Sequence, residues 1–210
     1  MEVHAGIPKL VIINDQAVCR IDGKKLTSVL SLVVEHIQRI DPGTSWEEIT
    51  LVLVDNQGII SINSGYLHSN ETTDVISFRY DSIPGVKQSN YGEIFVNAER
   101  ALEAGPRYNG VSSELALYVA HGCDHLTGAD DSTPHDYARM RRRELRWLRE
   151  ADRRGLLANL ASPKPAILAK APIAGSNGCA AFVGPPLAAC RKAQRNRAQK
   201  RRHAASGGPT

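Results

Sequence analysis

The stretch that decides how this chain is organised is His121-Gly122-Cys123-Asp124-His125-Leu126-Thr127-Gly128-Ala129-Asp130-Asp131. Its two histidines are four residues apart, so on a helix their imidazoles share one face and can bind one ion. Gly128 predicts the end of that helix, because glycine lets the chain turn back. Asp131 can then close the site from the opposite side. Two nitrogens and one carboxylate oxygen leave a fourth position open for water, which is typical of a catalytic zinc.

The apolar pattern on either side predicts an α+β fold with a small mixed β-sheet packed with several helices. Helical spacing predicts helices over residues 25–40, from a cap at Ser112 and Ser113 to His125, and over residues 134–153. Asp41-Pro42-Gly43 ends the first of these. A short helix is predicted at 56–66, and β-branched or alternating runs predict strands at 10–13, 18–21, 49–54, 74–78 and 92–96.

The charge is divided unevenly along the chain. The net charge is +4, but residues 155–210 hold nine Lys or Arg and no acidic residue, which leaves −5 for the remainder. This segment is rich in Ala, Pro, Gly and Ser, so it cannot bury enough apolar surface to offset its ordering entropy. We therefore predict a single domain at residues 1–155 and a disordered basic tail at 156–210. The cluster from Arg191 to Arg202 is typical of nucleic-acid contact or of a solvated extension.

The composition is that of a soluble protein. No run approaches the roughly eighteen apolar residues that a membrane span needs. The N-terminus lacks the basic and apolar segments of a secretory signal. We therefore expect no membrane partner and a cytoplasmic location, where the four cysteines are free thiols.

The residue that follows the first histidine bears on the class of hydrolase. Zinc proteases share the H-x-x-x-H spacing but carry Glu at that position as the general base. Here the position is Gly122, and Asp124 is out of register to replace the missing Glu. The pattern therefore disfavours a metallopeptidase.

Several blocks of the sequence resemble the YbeY family of bacterial rRNA-maturation endoribonucleases. The family signature H-G-x-L-H-L-x-G-Y-D-H, with a Met on the next helix, is matched at His121, Gly122, His125, Leu126, Gly128, Asp130 and Met140. Further matches are Thr73-Asp74-Val75-Ile76-Ser77-Phe78, Gly92-Glu93-Ile94-Phe95-Val96, Asn63, Tyr66 and Glu114. The resemblance spans roughly residues 8 to 150. It implies a metal-dependent endoribonuclease whose substrate is an rRNA precursor and whose partner is the ribosome or its small subunit.

The chain departs from the family pattern at three positions. The third histidine of the family falls on Asp131, which is in register and is favoured as the ligand over His135. Zinc is the expected cofactor, although a carboxylate ligand shifts the preference towards Mn²⁺ or Mg²⁺. The usual Leu before the second histidine is Asp124, which either bonds a ligand histidine or, as we favour, faces solvent. Leu67 stands where the family commonly has an Arg that is thought to act on RNA.

Catalytic residues beyond the metal ligands stay open at this stage. His68 is a candidate donor beside the missing Arg, and Arg79 a candidate phosphate contact. The general base is unassigned among Asp131, Asp124 and His68. Thr73 and Ser77 fit a phosphate contact and a structural role equally well. Finally, Arg141, Arg142 and Arg143 predict a positive rim around the metal cleft, which an RNA backbone requires.

Three functions are consistent with these features. The first is a single-strand-specific metal-dependent endoribonuclease in late 16S rRNA 3′-end maturation and ribosome quality control. The second is a ribosome-associated RNA-binding assembly factor with a structural metal. The third, a metallopeptidase, would require peptide cleavage despite Gly122.

Overall fold

A computed structural model of the chain describes residues 7–81 and 90–165. Its strands are β1 (Lys9–Asn14), β2 (Cys19–Ile21), β3 (Trp46–Val54), β4 (Val75–Tyr80), β5 (Asn90–Asn97) and β6 (Ala161–Pro163). Its helices are α1 (Gly23–Ile40), α2 (Asn56–Leu67), α3 (Ala98–Ala104), α4 (Val111–Leu126) and α5 (Pro134–Arg153), with a short 3-10 turn at Gly105–Arg107.

The main sheet is mixed, which confirms the predicted α+β class. Its strand order is β1-β3-β5-β4. β1, β3 and β5 run parallel, while β4 is an antiparallel edge strand against β5. The predicted strands at 10–13 and 18–21 both form but do not pair with each other, because β2 instead pairs with β6 in a separate small sheet.

The long outer helices begin and end where local chemistry places them. The side chain of Asp22 caps α1 by accepting the backbone N–H of Lys25, and the helix ends before Asp41. Thr133 caps α5 in the same way, with Pro134 at the first helical position, where its missing N–H costs nothing. α5 has the predicted bounds at both ends.

α4 is the central helix of the fold. Every residue from Glu114 to Leu126 is buried, because the sheet covers one side of α4 and helices α1, α3 and α5 pack around the rest. Gly110, and not the predicted serines, occupies the N-cap position. Ser112 instead exchanges hydrogen bonds with the backbone of Ala161. The two histidines of α4 therefore lie in the interior.

Among the described residues, no helix is long and apolar enough to cross a membrane.

The folded chain continues past residue 155, where the sequence predicts that the domain ends. Leu157 and Leu160 are buried, and Lys25 donates a hydrogen bond to the carbonyl of Ala158. β6 then adds to β2. Residues 156–165 therefore pack on the domain. The rest of the predicted tail, including Cys179, Cys190 and the Arg191–Arg202 cluster, lies outside the described residues, so the domain division stays a prediction.

Candidate metal centre

The structure brings His121, His125 and Asp131 together in the interior. The two Nε2 atoms are 3.0 Å apart, and a carboxylate oxygen of Asp131 lies 3.9 Å from Nε2 of His121. One donor atom from each residue falls within 4.8 Å of the others, and all three residues are buried. Their spacing on α4 and the reversal after Gly128, which adopts φ +84, produce this convergence as the sequence predicts.

The far side of each imidazole is held by an acceptor. The Nδ1–H of His121 donates to Oε1 of Glu144 at 2.7 Å, and that of His125 donates to the carbonyl of Ala129 at 3.0 Å. A carbonyl can only accept, so the proton of His125 lies on Nδ1. Burial, together with the charge of His121, lowers the pKa of His125 to about 3. His125 is therefore neutral and directs the lone pair of Nε2 into the cluster.

The pKa of His121 shifts in the opposite direction. Burial lowers its pKa, but the hydrogen bond with Glu144 and the negative charges of Glu144, Asp74 and Asp131 outweigh burial, so that the net shift is upward. When its ring is protonated, His121 can donate from Nε2 to the Nε2 lone pair of His125 across the 3.0 Å that separates these atoms. A divalent cation would replace that proton, so metal binding here should release a proton.

The donor set fits a divalent metal. Ligand atoms around a tetrahedral ion with bonds of about 2.0–2.1 Å lie about 3.3 Å apart. The two Nε2 atoms, 3.0 Å apart, lie close to that value, whereas the 3.9 Å from His121 to Asp131 would have to shorten by about half an ångström around an ion. Three ligands leave one coordination position for water or substrate, as in catalytic sites. Cys123, although it lies between the histidines in sequence, is not among the residues whose donor atoms converge in the cluster.

The position of His135 favours Asp131 as the third ligand. The side chain of His135 is 81% exposed and lies 3.7 Å from Asp136, whereas the side chain of Asp131 is fully buried beside His121. Because His135 is at the start of α5 and faces solvent, it does not take part in the cluster.

Asp131→Ala is expected to lower metal affinity about a hundredfold or more, since a site worth about 10–16 kcal/mol loses one ligand. His135→Ala is expected to bind metal like the wild type. Metal analysis of both variants after dialysis against a competing chelator distinguishes them. Metal loss confined to His135→Ala would contradict the ligand assignment.

Glu144 is the functional neighbour that sequence reasoning missed. It lies on the inner face of α5 and is only 1% exposed. Its second carboxylate oxygen lies 3.8 Å from Arg141. A carboxylate bonded to a ligand histidine fixes the tautomer and raises the basicity of the ring. The sequence does hold a signal, because Glu144 interrupts the apolar stripe formed by Met140, Trp147 and Leu148 and is the one buried charged residue of α5.

The expectation that Asp124 faces solvent is wrong. Asp124 has no exposed surface and accepts two hydrogen bonds from the guanidinium of Arg143. Burial raises the pKa of Asp124 to about 6, although Arg143 opposes that shift. Asp124 therefore joins α4 to α5 and, without access to water, is poorly placed to act as a general base. Arg143 is also removed from the predicted basic rim.

Arg79 is likewise engaged within the protein. It donates to Asp81, to Asp41, to the hydroxyl of Thr44 and to the carbonyl of Leu126, where α4 ends. These bonds tie the end of α4 to the loop before β3. The structure gives no support to Arg79 as a phosphate contact.

The remaining polar candidates lie apart from the donor cluster. The hydroxyl of Thr73 donates to Asp74, and that of Ser77 donates to the carbonyl of Gly122, so both have structural roles. His68 is exposed at the end of α2 in the left-handed conformation, with φ 55. Within the described ranges, no contact joins His68 to the cluster. The general base stays unassigned.

Gly122 explains why no glutamate can follow the first histidine. α4 lies so close to the sheet here that a Cβ on Gly122 would come within 2.5 Å of Ile94 and 2.8 Å of Val75. The position therefore points at β4 and β5 and away from the donor cluster. A general base of the zinc-protease type has no room at this position.

Gly122→Ala is expected to lower the free energy of unfolding by about 1–3 kcal/mol, because the added methyl group overpacks the interface between α4 and the sheet. Gly65→Ala is the matched control, since Gly65 lies within α2 and no atom is within 4 Å of its added Cβ. That variant should gain about 0.5–1 kcal/mol from helix propensity. Urea unfolding measures both, and equal effects would contradict the packing explanation.

A mixed sheet that supports a buried cluster of two histidines and one carboxylate defines an α+β protein whose cluster could hold a metal ion. The donor atoms and the tautomer of His125 suit a divalent cation.

Comparison with known proteins identifies the family. The sequence model of the family described as Endoribonuclease YbeY matches residues 11–152. The chain belongs to the YbeY endoribonuclease family. It is 39% identical over 95 residues to "Endoribonuclease YbeY" of Elusimicrobium minutum, an alignment that covers 44% of this chain and 66% of the relative. It is 31% identical over 125 residues to the protein of the same name from Salinibacter ruber, with 57% and 79% covered.

A solved structure shows a weaker likeness. The solution structure of TM1509 from Thermotoga maritima is 22% identical, with a TM-score of 0.44, and the match covers 68% of this chain and 88% of that one.

Proposed function

We propose that this protein is a metal-dependent endoribonuclease that cuts single-stranded RNA. The observation that carries the proposal is the pair of Nε2 atoms 3.0 Å apart, with both Nδ1 atoms already bonded, beside the carboxylate of Asp131. Relatives named Endoribonuclease YbeY support the choice of RNA as substrate. Zinc suits two nitrogens and one oxygen, while the carboxylate also makes Mn²⁺ or Mg²⁺ acceptable.

The residues of this chain would have distinct roles. His121, His125 and Asp131 would hold the ion, which when bound supplies Lewis-acid chemistry, lowering the pKa of water or polarising a phosphoryl oxygen. Glu144 acts through His121 as a positioning residue. The backbone carbonyl of Ala129 does the same for His125. Because the cluster is nearly closed to solvent, charge that develops on the phosphate would be stabilised more strongly than in water.

We place this activity in the cytoplasm, in late 16S rRNA 3′-end maturation and ribosome quality control, with the small subunit as partner. Membership of the YbeY family supports that placement. The basic residues 191–202 fit contact with rRNA.

One observation favours a second function, that of a ribosome-associated assembly factor with a structural metal. His121 is 3% exposed, His125 6% and Asp131 0%. Structural metal sites are closed in this way, but they have four protein ligands. The described residues supply three, which favours the enzyme.

The test uses a labelled single-stranded RNA and the same sequence in a duplex. The protein with one equivalent of Zn²⁺ or Mn²⁺ is expected to cut the single strand and spare the duplex. Chelation should abolish cleavage, and added metal should restore it. Tight RNA binding with no cleavage under any metal would overturn the enzyme and support the assembly factor. Cleavage of a peptide library would instead indicate a metallopeptidase.

A further inference from the structure

The outer face of α5 carries a row of arginines that the metal centre does not use. Its members recur at three and four residues, which places them on one face of the helix. They are Arg139, Arg142, Arg146, Arg149 and Arg153, called here the outer arginine row. All five are exposed. The row spans fifteen residues, 139–153, so that about 21 Å of helix separate its first and last members.

The row is separate from the rim that the sequence predicted. Arg143 turns inward to Asp124, and Arg141 lies within 3.8 Å of Glu144. The inner face of α5, with Met140, Glu144 and Trp147, packs towards α4 and the histidines. Because the outer row lies on the opposite side of the same helix, the helix itself separates it from the donor cluster.

The charges of the row are largely uncompensated. Arg139 pairs with Asp136 at 3.0 Å, but no ion pair within residues 7–81 and 90–165 involves Arg142, Arg146 or Arg149. Glu150, which follows Arg149 in sequence, is bonded to His36 and Arg154. Guanidinium groups with this spacing and without partners favour a polyanion, because each can bind a phosphate in bidentate fashion.

The shape of the surface decides between two kinds of polyanion, an anionic membrane and a nucleic acid. A basic helix that lies on an anionic membrane needs an apolar face to insert. Here the apolar face is buried in the core, and Leu145, 38% exposed, is the only large apolar side chain beside the arginines among the described residues of α5. The row therefore fits a phosphate backbone in water and does not fit a bilayer.

We propose that the outer arginine row is a second RNA-binding surface, which holds the backbone of a long or folded RNA while a single-stranded segment enters the metal centre. The identity of the polyanion rests on the proposed function. Most affinity for nucleic acid comes from neutralised phosphates, so the surface would add affinity and positioning without reading sequence.

The experiment compares two triple variants of the full chain. The first is Arg142→Gln/Arg146→Gln/Arg149→Gln, in which glutamine keeps helix propensity. The control is Arg20→Gln/Lys24→Gln/Arg107→Gln, which removes the same charge from exposed positions outside α5. The probes are a long folded RNA with a single-stranded 3′ extension, a short single-stranded oligonucleotide and phosphatidylserine vesicles.

The first variant should bind the long RNA roughly tenfold more weakly near 0.1 M salt, and its salt-dependence slope should fall by about 2. Its cleavage of the short oligonucleotide should equal that of the wild type, and the control should match the wild type in both assays. Equal weakening in both variants, no weakening, or binding to vesicles in place of RNA would overturn the proposal. If the wild type binds the long RNA but cleaves nothing, the proposed function fails while the binding comparison still tests the row.

Discussion

His125→Ala is expected to abolish metal binding and RNA cleavage together while the protein stays folded. The ring of His125 is neutral and supplies one of three donor atoms. If the free energy of metal binding is about 10–16 kcal/mol, each of the three ligands contributes about 3 kcal/mol or more. Loss of one ligand should therefore lower metal affinity about a hundredfold or more. Competition with a chromophoric chelator measures that loss. Circular dichroism reports the fold.

The matched control for this variant is His36→Ala. His36 is a partly buried histidine outside the cluster, which stacks on Trp147 with ring centroids 5.5 Å apart and bonds Glu150. The control should lose some stability and keep full metal affinity. A metal-dependent rise in Tm should then persist in His36→Ala and vanish in His125→Ala. Cleavage at the wild-type rate by His125→Ala would refute the assignment of the centre.

The second large effect is expected at Glu144. Glu144→Leu removes the acceptor of the Nδ1–H of His121, so the tautomer and orientation of that ring are no longer fixed. Loss of such a partner typically costs 10- to about 100-fold in metal affinity. Glu144→Gln keeps an oxygen acceptor without the charge and should recover part of the affinity. Metal titration across a range of pH measures both variants.

A merely structural role for Glu144 would give a different result. The carboxylate raises the pKa of His121, which must lose its proton before the metal binds. Without the carboxylate, metal binding should release fewer protons and become less dependent on pH. Glu150→Gln on the same helix is the control, because Glu150 bonds His36 and not the cluster. Equal metal affinity and pH dependence in Glu144→Leu and the wild type would exclude the positioning role.

Much of the fold could be predicted because its signals are local. Periodic apolar residues and side-chain caps place α1 and α5 to within two residues, and the β-branched run at 49–54 lies within β3. Two elements were missed for physical reasons. α3 has seven residues, too few for a periodic pattern, and β6 has three residues that form a strand only because β2 lies beside them.

The candidate site also has a part that the sequence predicts and a part that it does not. His121, His125 and Asp131 follow from helical spacing and a glycine turn, so sequence alone brings them together. Two pairs that support the site, His121 with Glu144 and Asp124 with Arg143, depend on tertiary packing. Their members are 23 and 19 positions apart in the sequence, respectively. No local sequence pattern predicts such pairs. The sequence signal of such a pair is a charged residue within an apolar stripe, and both Glu144 and Asp124 show it.

The central claim is that one divalent ion, held by the histidine pair and Asp131, is required for RNA cleavage. The most direct test starts from chelator-treated full-length protein and follows cleavage of a short single-stranded RNA as Zn²⁺ or Mn²⁺ is added. We predict no cleavage without metal and a rise that ends at one equivalent, with Asp131→Ala inactive at the same metal concentration. Full cleavage by the metal-free protein, or wild-type activity in Asp131→Ala at one equivalent, would contradict the claim.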